Sequence, residues 1–262
     1  MKQKKNKLLI SYILFFIFIT AGSKEISAAP PVSELMKKIE YIMEITTDVR
    51  ARVEITQQKV DQGMKKIDMI YYRRDSDDSF LIVMVGPESD KGNGYLRVGE
   101  NFWMYRRNTR TFQHINRDEN IGGTNARGQD FEKRKLTELY EPAKGADGRD
   151  IFKEEMLGQI PVYKFDINAK VNDVDYPKKT YWIRKDNFLP LKEQSFSLSG
   201  TLMQTAYFRK YTIIDGRYVW IESLFIDEFE KGNKSLVEIS GISTQKLENH
   251  LFTKPYLENL SK

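Results

Sequence analysis

The chain has 262 residues, 42 of them lysine or arginine and 37 aspartate or glutamate, with a mean hydropathy of −0.55 and no cysteine. Without cysteine there can be no disulfide, no thiol nucleophile and no lipid thioether on the chain itself. Five lysines and one glutamate precede Pro30, which leaves 37 basic against 36 acidic residues beyond it and no excess of positive charge of the kind that binds nucleic acid.

The first residues, MKQKKNK, are positively charged and lead into an apolar run from Leu8 to Ala21. That run is shorter than the roughly 18–20 residues a membrane span needs. Ser27 and Ala29 then supply small residues before Pro30. Residues 1–29 are expected to be a cleaved secretory signal peptide, and residues 30–262 a single domain. A chain of this length, about 230 residues, can bury roughly 70–75% of its unfolded surface without disulfides.

From Pro31 to Ile45, Val32, Leu35, Met36, Ile39, Ile42 and Met43 recur at helical spacing and make one apolar stripe. Pro31 suits a helix start, where no amide donor is needed. From Thr47 the period becomes two. Val49, Ala51, Val53 and Ile55 alternate with charged residues, the pattern of a half-buried strand. Gly63 marks a turn, and Lys65 to Arg73 returns as a strand. Phe80 to Val85 is apolar at every position and is expected to be covered on both faces, ending at Gly86-Pro87.

The next stretch, KGNGYLRVGENFWMYRRNTRTFQHI, reads as three short strands. A two-residue turn at Glu100-Asn101 sets Val98 opposite Trp103 and Leu96 opposite Tyr105. A turn at Asn108-Thr109 sets Tyr105 opposite Phe112 and Trp103 opposite His114. One face then carries Leu96, Val98, Trp103, Tyr105, Phe112 and His114, and the other Arg97, Met104, Arg106 and Gln113. The glycine-rich stretch Asn116 to Gln129 is expected to be mobile. Asp130 can cap a helix starting at Phe131, with Leu136 and Leu139 on its apolar edge. In the second half, Tyr163 to Ala169, Lys178 to Arg184, Leu189 to Leu198, Thr201 to Ile214, Tyr218 to Glu228 and Ser235 to Thr244 read as strands. They are joined by turns such as Ser199-Gly200 and Asp215-Gly216, which makes an antiparallel meander. A short helix is expected over Lys254 to Leu260.

The chemistry-bearing residues make no constellation. His114 and His250 are the only histidines, and they are far apart in sequence. No G-x-S-x-G elbow is present. The pairs Asp77-Asp78, Glu154-Glu155 and Asp173/Asp175 read as solvated charges, and Gly122-Gly123 lies in no strand–turn–helix context. The expectation is a non-enzymatic protein with no metal or cofactor. A curved antiparallel sheet with helices against it has one inner face. An aromatic and aliphatic inner face is compatible with a dry cavity for acyl chains and equally with a filled core. A different reading is an exported binding module, an adhesin or envelope scaffold, using arginine-rich edges at Arg73-Arg74 and Arg106-Arg107, with Lys178-Lys179 as a further basic pair.

Several blocks carry a family resemblance: Trp103 and Tyr105 on one strand, Arg110 after it, the glycine-rich loop, Gly128-Gln129-Asp130-Phe131, then VYKFDINAK and KKTYWIRKDNFLPLKEQSFSLSG. In order and spacing they resemble LolA-like outer-membrane lipoprotein-sorting proteins across most of the chain beyond the leader. Where that family often has a proline after the aromatic strand, this chain has Arg106-Arg107-Asn108. Glu132-Lys133-Arg134-Lys135 is also more basic than the family's usual helix start. The resemblance implies an α+β fold, an open, incomplete antiparallel β-barrel with helices as a lid over a hydrophobic cavity. It implies a periplasmic carrier of lipoprotein or lipid acyl chains moving towards the outer membrane, with an inner-membrane transporter of the RND type and an outer-membrane acceptor as partners. The expected cavity wall is Leu96, Val98, Trp103, Tyr105, Phe112, Phe165, Ile167, Tyr181 and Ile183, and the expected lid Leu35, Ile39, Phe131 and Leu136.

Overall fold

Period-two alternation commits most of the chain to strands, and tight turns between them leave little choice but antiparallel pairing with the neighbour in sequence. In the computed structural model, which describes residues 29–119, 121–122 and 134–261, fourteen strands join in one sheet. The first group is β1 (Val49–Lys59), β2 (Gly63–Arg74), β3 (Ser79–Gly86), β4 (Gly94–Val98), β5 (Asn101–Arg106) and β6 (Thr111–His114). The second is β7 (Tyr140–Pro142), β8 (Phe152–Leu157), β9 (Ile160–Ala169), β10 (Lys178–Arg184), β11 (Pro190–Phe196), β12 (Leu202–Ile214), β13 (Arg217–Asp227) and β14 (Lys234–Ser243). The order is β6-β5-β4-β3-β2-β1-β14-β13-β12-β11-β10-β9-β7, with β8 also on β9. The long-range pairing of β1 with β14 fuses two local meanders, and β6 and β7 leave the sheet open.

Helix α1 (Val32–Met43) lays Val32, Leu35, Met36 and Ile39 on the inner face of β9 and β10, against Phe165, Ile167, Tyr181 and Ile183. Each fully buried aliphatic side chain of this kind contributes about 1.5–3 kcal/mol. Pro31 precedes the first helical residue rather than being it, and Asp150 accepts the Val32 amide at 3.3 Å in place of a side-chain cap from Pro31. A one-turn helix, α2 (Leu136–Leu139), is tied to α1 because the Glu40 carboxylate accepts both the backbone amide (2.5 Å) and the hydroxyl (3.1 Å) of Thr137. The predicted leader through residue 28, the Gly128–Phe131 block and the expected helix start at Phe131 lie outside the described residues.

The tail folds onto the opposite, outer face. A 3₁₀ turn at Asn249–Phe252 and helix α3 (Lys254–Leu260) set Phe252 and Leu257 against Leu81, Val83, Leu96 and Tyr105. Thr253 caps α3 by accepting the Tyr256 amide at 3.3 Å. Gly94 is what lets α3 come so close: a Cβ there would lie 2.5 Å from a Leu257 methyl and 2.7 Å from the Ile82 carbonyl oxygen. β3 is therefore buried on both faces, as its unbroken apolar run demands.

Candidate functional site

The inner face of the sheet is filled at both flanks and open in the middle. On one side α1 covers β9 and β10. On the other, Phe80, Ile82, Met84, Tyr95, Phe102 and Ile121 pack into a core that also takes in Val53, Ile55 and Met69. Between them lies a cavity of about 680 Å³, within the range of small-molecule binding sites. Its floor is apolar: Val53 and Ile55 of β1, Met69 and Tyr71 of β2, Phe225 of β13, Val237 and Ile239 of β14. Leu136 and Leu139 of α2 close one side. Along β1 the lining runs from Val53 to Lys59, six residue steps or roughly 20 Å at strand rise. One end is polar, formed by Gln58 and Lys59 of β1 with Asn233 and Lys234 at the start of β14. The cavity is thus a trough with a largely apolar floor, a hydrophilic mouth and Arg73 at its far end.

One wall carries a buried ion pair. Lys179 of β10 donates to Glu193 of β11 at 2.7 Å, with side chains 18% and 12% exposed. They are neighbours because β10 and β11 pair with Lys179 opposite Ser195 and Tyr181 opposite Glu193. Ser195 Oγ also donates to the Glu193 carboxylate, at 3.0 Å. Burial works against both charges, but the pair wins. The carboxyl of Glu193 is held below the usual range by Lys179, and the ammonium of Lys179 is held above its ordinary value by Glu193. Burial, reinforced by the Glu193 charge, pushes the Tyr181 hydroxyl up. At the mouth, Asp173 accepts from Arg134 at 2.9 Å and from Arg117 at 3.2 Å, which lowers its carboxyl. These charges are neutralised in pairs, so the trough can stay apolar along its floor.

A family model described as that of an uncharacterized protein matches residues 76–259. The chain belongs to that family. A search of curated proteins gave no match. Among solved structures, a LolA superfamily protein from Nitrosomonas europaea is 19% identical, with a TM-score of 0.69, over 87% of this chain and 100% of its own. An outer membrane lipoprotein-sorting protein domain from Vibrio parahaemolyticus is 17% identical (TM-score 0.70, 86% and 97% covered). A DUF1329 family protein from Desulfovibrio piger is 16% identical (TM-score 0.72, 86% and 97% covered). The fold is LolA-like: one long, curved, open antiparallel sheet with few helices.

Within this LolA-like sheet the residues expected to form the cavity wall fall into two groups, and neither borders the cavity. Phe165, Ile167, Tyr181 and Ile183 are on the inner face as expected, but Leu35 and Ile39 of α1 pack directly on them and leave a filled core. Leu96, Val98, Trp103, Tyr105 and Phe112 are on the outer face, under the C-terminal helices. The Lys254 ammonium sits 4.2 Å over the Trp103 ring. The inner face of those strands is instead Tyr95, Phe102 and Met104. Of the expected lid, Leu136 lines the cavity, Leu35 and Ile39 belong to the filled flank, and Phe131 lies outside the described residues.

The proposed hairpin register also shifts. The β4–β5 turn is Gly99-Glu100, with Val98 opposite Asn101 and Leu96 opposite Trp103. The β5–β6 register, Tyr105 opposite Phe112 and Trp103 opposite His114, matches the expectation.

The trough residues that sequence reasoning missed are Met69, Tyr71, Trp220, Phe225, Val237 and Ile239. Their strands were legible, but the pairing of β1 with β14 that brings Ile55 opposite Val237 spans nearly the whole chain and leaves no local mark.

The other chemistry-bearing groups are tied up. Asp77 accepts from Arg74, Glu154 from Lys185, and Glu155 from the Trp182 indole at 2.6 Å. Arg73 donates to the Ile45 carbonyl at 2.9 Å, and Arg74 packs over Phe252. The arginines at Arg73-Arg74 are therefore framework rather than a free edge, and Lys179 points inward. Arg106 and Arg107 are exposed at the β5–β6 turn. His114 stands edge-on to Trp103 and His250 edge-on to Tyr256. Among the described residues no three metal-ligating side chains converge.

Proposed function

We propose that this protein is an exported, non-enzymatic carrier that holds an acyl chain of a lipid or lipoprotein in the central trough and moves it through the periplasm towards the outer membrane. The observation that carries this reading is the shape and polarity of the trough. Its apolar floor, bounded by a polar mouth, suits an amphiphile with its tail inward and its headgroup at Lys59 and Lys234. Its length is enough for one acyl chain, since each leaflet of a bilayer core of about 30 Å is about 15 Å deep. Each methylene taken from water contributes about 0.8 kcal/mol. The fold shared with a lipoprotein-sorting domain supports the same reading. A transporter of the RND type and an outer-membrane acceptor remain the partners proposed with it.

Titration with a dansylated fatty acid and with an acylated peptide tests the proposal. Both are expected to bind and to change the emission of Trp220, which borders the trough. Val237→Asp places a carboxylate on the floor and is expected to weaken binding at least about tenfold, the equivalent of 1.4 kcal/mol. Binding that is absent in the wild type, or that Val237→Asp leaves unchanged, overturns the carrier reading.

A further inference from the structure

We infer that the end of the sheet where the trough opens is a docking surface for an anionic lipid bilayer, which the hairpin tips enter at headgroup depth. This rests on the carrier reading. Antiparallel order puts the β1–β2, β11–β12 and β13–β14 turns at the same end of the sheet, and the trough reaches that end at Gln58, Lys59, Asn233 and Lys234. Large apolar side chains stand out there: Val60 is 72% exposed, Met64 73%, Leu198 77% and Phe229 66%. Single exposed apolar residues are ordinary on a soluble protein. Four around the mouth of the trough, three of them on turns that a water-facing loop would fill with polar residues, are a different matter.

The tips are braced, not loose. The Val60 amide donates to Asn233 Oδ1 at 3.0 Å, and a Cβ on Gly232 would lie 2.6 Å from a Val60 methyl, so the β1–β2 and β13–β14 turns are locked side by side. Three of the acids there are held by hydrogen bonds. Asp227 accepts the amides of Phe229 and Glu230, Glu228 accepts the Thr205 hydroxyl, and Glu230 accepts the Asn233 amide. Lys231 and Lys234 are exposed and Lys59 half-buried at the same turns, where Asp61 and Glu230 are the exposed acids. Apolar tips set among lysines fit the boundary between anionic headgroups and acyl chains, where the lysine stems lie along the tips and the ammonium groups reach phosphate. With the mouth held there, an acyl chain passes between bilayer and trough without exposing its methylenes to water.

Flotation with phosphatidylethanolamine–phosphatidylglycerol vesicles tests the assignment. The wild type is expected to float with the vesicles. The double variant Val60→Asp, Phe229→Asp is expected to partition at least about tenfold more weakly, to melt at the wild-type temperature, and to bind dansylated fatty acid in solution as the wild type does, since neither side chain borders the trough. Lys231→Glu with Lys234→Glu is expected to lower binding and flatten its dependence on salt. Wild-type protein that does not float overturns the inference, as does flotation of the double variant at wild-type strength. A wild-type dimer that the same substitutions split, with no vesicle binding, assigns the tips to a second copy of the chain instead. Failure of the carrier reading shows separately, as loss of fatty-acid binding by the wild type in solution.

Discussion

Replacing Lys179 with methionine should unmask how the trough wall tolerates a buried charge. The wild-type pair is close, 2.7 Å, and the Glu193 side chain is only 12% exposed. Methionine keeps most of the lysine stem but leaves Glu193 with no cation. Breaking one partner of a buried pair costs about 3–5 kcal/mol. For a chain of this size each kilocalorie moves the midpoint by roughly 2–4 °C, so Lys179→Met should melt about 6–20 °C below wild type at neutral pH.

The pH dependence separates this from a simple packing defect. In the wild type the Glu193 carboxyl is depressed by Lys179, so its stabilisation is present above the unfolded carboxyl value of about 4.3 and is lost as pH falls through the folded value. The Lys179 ammonium is raised, so its share is fully present below the unfolded lysine value of about 10.4 and is lost only as pH rises through the folded one. In Lys179→Met, burial acts on Glu193 unopposed and raises its carboxyl. The variant's deficit should therefore shrink on acidification, while the wild type loses stability over the same range. Thermal unfolding followed by circular dichroism across pH 3.5 to 8 reads both effects. The double variant Lys179→Met, Glu193→Leu should recover most of the loss. Parallel pH curves for wild type and Lys179→Met, or a melting point unchanged by the substitution, would refute the argument.

Leu35→Ala removes a side chain with no exposed surface from the α1 flank. It should cost about 2–5 kcal/mol, visible as a lower denaturant midpoint. Gly94→Val should lift α3 from β4, because the Ile82 carbonyl cannot move aside; limited proteolysis should then cut within residues 249–261, which stay protected in the wild type. Trp103→Phe should leave the fluorescence response to dansylated fatty acid in place, and Trp220→Phe should remove most of it, since Trp220 borders the trough and Trp103 lies under the tail.

What could be read from the sequence follows from how local each signal is. β10 at Lys178–Arg184 and α3 at Lys254–Leu260 coincide with their expected bounds, because period and flanking turn residues are properties of a few neighbours. β7 and β8 are not legible in the sequence. β8 mixes intermediate and exposed side chains and has no fully buried one, so it lacks the contrast that marks a half-buried strand. The ion pair of Lys179 and Glu193 was out of reach for another reason. In the sequence Lys179 is one of two adjacent lysines at a strand start, and only the β10–β11 register shows that it faces inward.

The aromatic hairpin shows where such reading stops. The proposed turn between β4 and β5 was one residue too late, which moves the pairing by two: Leu96 meets Trp103 rather than Tyr105. A shift of two preserves the faces, since side chains alternate with period two. Leu96, Val98, Trp103, Tyr105 and Phe112 do share one surface. Which side of the sheet that surface occupies is a separate question, and alternation cannot answer it. The strands carry Tyr95, Phe102 and Met104 on the other face, so both faces are apolar. Both are apolar because both are covered, one by the inner core and one by a tail that begins more than 130 residues later in the chain. The richest aromatic patch in the sequence is therefore the seat of the C-terminal helix. The trough is walled instead by the plainer strands β1, β2, β13 and β14, with Leu136 and Leu139 of α2 closing only one side.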